Sequence, residues 1–162
     1  MKKLIAIICA LCLVFALCAC GSGSGTAAKA EALTLTTGSD TGTYYGYGSV
    51  LAQFVSSKTD LTVTAVVGNG SQANVEDLDS GAVQLGFCQS DVMSYAYTGT
   101  NLFEKTGAVT SFSVVAALYM EQVQIVTMNP DIKTVDDLKG TTVSIGVSGS
   151  GAFGVGFGAV GS

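Results

Sequence analysis

The feature that most constrains this chain is an alternation of two hydrophobic rhythms, with glycine or a polar cap at each change. Leu33-Thr34-Leu35-Thr36-Thr37 has the period of a strand and stops at Gly38. From Thr43 the spacing lengthens. Tyr44, Tyr47, Val50, Leu51, Phe54 and Val55 recur at three and four residues, which predicts a helix with one apolar face. Residues 61–67 form a β-branched run closed by Gly68-Asn69-Gly70. Ser71 is placed to cap a helix running through Asn74, Val75 and Leu78, which Gly81 ends. Residues 83–88 predict a third strand, and Ser90-Asp91 opens a helix with Val92, Tyr95 and Ala96 along one face. Strands that alternate with helices need crossover connections, so the expected fold class is α/β with a mainly parallel sheet.

Further along, residues 112–118 and 123–128 are strand-like. Thr134-Val135-Asp136-Asp137-Leu138-Lys139-Gly140 predicts a short helix with a threonine cap, acids in its first turn and a glycine stop. Residues 142–147 predict a last strand. Ligands of parallel sheets sit beyond the carboxyl ends of the strands, which picks out residues 37–45, 68–74, 89–91 and 148–151. All four segments are built mainly from Gly, Ser, Thr, Asn, Gln and Tyr, with Asp40, Ala73 and Asp91 among them. Helix starts with such side chains can hold a carboxylate or phosphate without arginine, although the same residues also serve as ordinary caps and loop formers. Tyr44 and Tyr47 share a helix face and can simply pack. Alternatively, one tyrosine of the 44–47 cluster donates its phenol to a ligand carboxylate.

Composition removes whole classes of chemistry. The chain contains neither histidine nor arginine, and its formal net charge is −5. A nucleic-acid binder needs clustered cations, so no nucleic-acid partner is expected. Without histidine there is no Ser-His-Asp or Cys-His nucleophile system and no histidine-ligated zinc, so neither an enzyme nor a cofactor is expected. Gly68-Asn69-Gly70-Ser71-Gln72-Ala73 has the G-x-G-x-x-A form of a dinucleotide fingerprint, with Asp91 about twenty residues on. It follows the second strand rather than the first, which argues against that use. Residues 146–151 do not fit a G-x-S-x-G elbow. Cys88 lies in an apolar run and reads as a small buried hydrophobe.

The start of the chain carries an address. Lys2 and Lys3 precede an uncharged apolar run from Leu4, of signal-peptide rather than membrane-spanning length. Leu17-Cys18-Ala19-Cys20 then resembles a bacterial lipobox, which makes Cys20 the lipidated first residue after cleavage. Gly21-Ser22-Gly23-Ser24-Gly25 begins a flexible tether. The expected place of work is outside the cytoplasm, anchored to the membrane by lipid.

Taken together, Thr37-Gly38-Ser39-Asp40-Thr41-Gly42-Thr43-Tyr44-Tyr45, Gly70-Ser71-Gln72-Ala73-Asn74, Leu85-Gly86-Phe87-Cys88-Gln89-Ser90-Asp91 and the segment 134–140 resemble the TAXI family. These are solute receptors of tripartite ATP-independent periplasmic (TRAP) transporters. The resemblance implies a two-lobed, type II periplasmic-binding fold that closes on a small organic anion, such as a dicarboxylate or an acidic amino acid, and delivers it to membrane permease subunits. It implies ligand-facing positions at Gly38, Thr43, Tyr44, Ser71, Asn74, Gln89 and Ser90, with Ser148, Ser150 and Gly151 on the opposite jaw. Asp91 would repel an anion and reads as structural. The expected organisation is a signal at 1–19, a tether at 20–32, a first lobe at 33–127 and the start of a second at 128–162. The glycine-alternating tail beyond Gly151 is a poor helix by propensity, and the resemblance expects a longer second lobe than this. The other expectation kept open is a surface lipoprotein with an interaction or antigen role and no part in transport.

Overall fold

The computed structural model describes residues 31–160, with side chains described as far as residue 156. The signal segment, Cys20 and most of the tether lie outside the described residues. Three strands, β1 (Ala32–Thr36), β2 (Thr62–Val66) and β3 (Leu85–Gly86), form a parallel sheet in the order β2-β1-β3. Each strand leads into a helix: α1 (Thr43–Lys58), α2 (Ser71–Asp79) and α3 (Ser90–Thr98). The α/β class and the parallel sheet are as the hydrophobic rhythm predicts. With β1 central, the chain leaves it toward β2 on one side and β3 on the other. All three helices therefore start at the carboxyl edge, on both sides of a topological switch point.

The alternation of β1 sorts the two faces of the sheet. Leu35 and Thr37 lie under α1, where a Cβ added to Gly48 would stand 3.5 Å from Leu35 and 2.8 Å from Thr37. Thr36 points the other way and is hydrogen-bonded to Asn74 of α2. Beyond α2 the main core gathers Val75, Val92, Ala96, Phe103 and Val109, so α2 and α3 share one apolar layer. Phe103 belongs to a 3-10 turn, Asn101–Phe103, that follows the αL glycine stop of α3 at Gly99. Cys88 packs partly buried against this cluster, in keeping with its reading as a small hydrophobe.

Several expectations are corrected. On α1 the face turned to the sheet is Gly48 and Ala52, while Val50 and Phe54 are 68% and 60% exposed. Small residues let the helix approach the sheet, and this contact decides its rotation over the larger side chains' periodicity. The N-cap of α2 is Gly70, with φ +99°, and Ser71 is its first helical residue. Residues 112–118, 123–128 and 142–147 join no ladder among the described residues. Val115, Val126 and Met128 stand almost fully exposed there. The predicted helix at 134–140 shortens to a 3-10 turn, Asp136–Leu138. Its N-cap is Val135 rather than the expected threonine, and the Asp137 carboxylate within the turn accepts from Lys133 N, Thr134 N and Thr134 Oγ1 at 2.8–2.9 Å. These three donors hold its carboxyl below the usual range.

The glycine-rich tail, expected to resist helix formation, forms α4 (Gly151–Val160). Propensity yields here to capping and close packing. Ser150 Oγ accepts from Phe153 N at 3.1 Å, and a Cβ at Gly154 or Gly156 would lie 2.8 Å from Leu102 or 2.5 Å from Ile145. No helix among the described residues is long and apolar enough to cross a membrane.

Candidate functional site

The site is built where the three helices begin. Tyr44, in the first turn of α1, brings its hydroxyl to 3.4 Å from Ser71 Oγ at the start of α2. Ser71 Oγ in turn accepts from Gln89 N, just before α3, at 3.0 Å. Ser71 is 1% exposed, so one small hydroxyl ties all three helix starts together. An alanine there would leave the Gln89 amide without its acceptor.

Asn74 holds the geometry from beneath. Its side chain is fully buried, accepting from Thr36 Oγ1 at 3.0 Å and donating to the carbonyls of Thr37 and Phe87, both at 2.8 Å. Those carbonyls belong to the ends of β1 and β3, so one amide fastens two strand ends to α2. Asn74, expected to face a ligand, thus points into the protein and positions the loops. Gly68 makes this possible, because a Cβ there would meet Thr36 Oγ1, Thr37 O and Asn74 Oδ1 at 2.6–2.9 Å. Thr37 Oγ1 is also spent internally, donating to Val66 O at 2.7 Å.

The remaining expected residues divide. Gly38 backs onto Tyr44, where a Cβ would lie 3.4 Å from the tyrosine Cβ. Thr43 and Ser90 are exposed at the starts of α1 and α3. The amides of Thr43, Tyr44 and Tyr45, and those of Ser90, Asp91 and Val92, find no acceptor among the described residues, whereas Gly46 N and Met93 N bond the carbonyls of Gly42 and Gln89. Ser148 is exposed. Ser150 is committed as a cap, donating to Val147 O at 2.8 Å and accepting from Phe153. The turn at 148–151 lies directly on α2. Gly149 O accepts from Gln72 N at 2.9 Å and Ala73 N at 3.3 Å, so a carbonyl of the chain fills the anion position at that helix start. Gly151 presses on the Gln89 side chain, whose Oε1 is buried with no hydrogen-bond partner among the described residues.

Sequence reasoning missed Glu121. Its carboxylate accepts from Tyr44 OH at 3.1 Å, and the ring of nearby Tyr119 packs edge-on to Tyr47 with centroids 5.5 Å apart. Tyr47 also lies against Phe87, as Tyr44 does, so the 44–47 cluster both packs and donates. Burial, reinforced by the Glu121 charge, pushes the Tyr44 phenol well above its ordinary range, so it remains a donor. Burial and Asp91 push the Cys88 thiol up to about 12, which makes it a poor nucleophile. The signal for Glu121 was present: it is the one charged residue between Lys105 and Asp131. The described residues hold no cluster of acids and cysteines able to bind a metal.

Residues 35–159 match the model of the NMT1-like family, which is well over half of the chain. The chain belongs to the NMT1-like family. Members of this family are periplasmic solute-binding proteins associated with transport receptors. An NMT1-like chain therefore binds a small solute outside the cytoplasm for a membrane transporter, and its parallel sheet with helix starts at one edge is that of a periplasmic-binding-protein-like fragment.

Proposed function

We propose that this NMT1-like chain is the solute receptor of a TRAP transporter of the TAXI type, lipid-anchored through Cys20. Its solute is a small organic anion, a dicarboxylate or an acidic amino acid, and its partners are the membrane permease subunits. The observation that carries this reading is the convergence of Tyr44, Ser71 and Gln89, which brings three helix starts within hydrogen-bonding distance of one hydroxyl. Open first-turn amides at α1 and α3 supply positive potential, and the phenol and exposed hydroxyls supply neutral donors. Such a site suits a carboxylate that must be released again. Without histidine, and with its one described cysteine held as a thiol, the chain serves as a receptor rather than an enzyme.

Thermal-shift screening of dicarboxylates and amino acids tests the binding role, since a specific ligand raises the melting temperature by mass action. A flat response to every acid tried would refute it. Incorporation of labelled palmitate in a bacterial host, lost in Cys20→Ala, tests the anchor. A TRAP permease gene beside this one supports the transporter assignment. A second reading, a surface lipoprotein that binds other proteins, is favoured by the exposed apolar stretch that includes Val114, Val115, Met120, Val126 and Met128. Pull-down of a defined partner without solute binding would support it.

A further inference from the structure

We propose that Glu121 is a specificity determinant of the solute site, selecting a ligand that carries an ammonium group beside its carboxylate over the matching acid without one. This rests on the receptor reading above. The hydrogen-bond chain at the junction has a direction. Gln89 N–H donates to Ser71 Oγ, and the single phenolic proton of Tyr44 goes to Glu121 Oε2. The Tyr44 oxygen can then only accept from the Ser71 hydroxyl. Every donor in the relay points toward Glu121, and the relay ends on a carboxylate belonging to the protein.

That carboxylate is exposed and has no cationic partner; among the described residues the one ion pair joins Lys139 to Asp136. The buried side-chain atom lacking a partner, Gln89 Oε1, is likewise an acceptor, on the residue at the far end of the same relay. The side-chain groups left over at the junction thus ask for donors and positive charge, while the free backbone amides of α1 and α3 ask for an acid. An α-amino acid supplies both: its carboxylate answers the helix starts and its ammonium, with three donors, answers Glu121. A plain dicarboxylate would have to set a second negative charge near the first.

The experiment is calorimetric titration of the full chain with matched pairs that differ only by the amino group: L-aspartate and succinate, L-glutamate and glutarate, L-leucine and 4-methylpentanoate. The wild type is expected to prefer the amino member of the pair it binds by about tenfold or more, the range of a charge-assisted hydrogen bond. Glu121→Gln should bring that ratio close to one, and Glu121→Asp should keep it above one. Because Glu121 is exposed, both variants should melt with the wild type. Binding of a pair with no preference, or a preference untouched by Glu121→Gln, overturns the inference and leaves the receptor reading standing. Failure of every compound to bind wild type and variants removes both.

Discussion

Replacing Asn74 by alanine should be among the most damaging single changes in this chain, although the residue is small and polar. The substitution strands three groups: the Thr36 hydroxyl and the carbonyls of Thr37 and Phe87. Thr36 and Thr37 are 1% and 0% exposed, so solvent does not reach them in the folded chain. Each buried group left without a partner costs about 1–3 kcal/mol, and three bound the loss at roughly 3–9 kcal/mol. The vacated amide leaves a polar niche that a water can partly fill, which brings the expected loss to about 3–5 kcal/mol. Domains of this size are stable by only about 5–15 kcal/mol, so the variant should approach the unfolding threshold. Urea denaturation of the full chain, followed by circular dichroism, measures it. The exposed Ser57→Ala, which removes a surface bond to the Phe54 carbonyl, serves as the control. A loss below about 1 kcal/mol with an unchanged denaturant slope would refute the view that this amide fastens the strand ends to α2.

Other expectations can be checked with the same preparations. Gly68→Ala drives a Cβ against the Thr37 carbonyl at 2.8 Å and should cost about 1–3 kcal/mol, whereas Gly46→Ala, with nothing within 4 Å, should stabilise α1 by about 0.5–1 kcal/mol in thermal melts. Tyr44→Phe keeps the ring contact with Phe87 but removes the donor to Glu121, so it should shift stability by less than about 1 kcal/mol while weakening solute binding about tenfold. The Cys88 thiol titrates near 9 when unfolded and near 12 when folded, so its contribution to stability is intact below pH 9 and is lost as pH rises from 9 toward 12. Cys88→Ala should remove that part of the alkaline slope in pH-dependent denaturation, and the native thiol should react slowly with disulfide reagents at pH 8.

Much of residues 31–100 was legible because local and tertiary demands agree there. The strand runs at Leu33 and Thr62 and the helical spacing after Thr43 and Ser90 all serve one sheet. What failed were inferences that depend on a neighbour. The β-branched runs after Phe112 record a backbone preference, but a ladder needs a partner strand, and none lies beside them among the described residues. The tail looked unhelical because propensity ignores the spaces beside Leu102 and Ile145 that only glycine fits. At the site, Tyr44, Ser71 and Gln89 could be read from their places after strands. The inward turn of Asn74 could not, since it depends on carbonyls of Thr37 and Phe87 that only the sheet brings together. Glu121 was hidden by distance along the chain, as it meets Tyr44 across 77 residues.

The contact of Gly149 O with the start of α2 has a consequence for motion. Lifting the 148–151 turn hands the Gln72 and Ala73 amides to whatever the solution offers, and leaves the positive end of α2 uncovered. The work of breaking this contact is therefore set by the bathing medium as well as by the polypeptide. An anion that settles on the vacated amides acts as a wedge, holding the turn away, while plain water favours the return of the carbonyl.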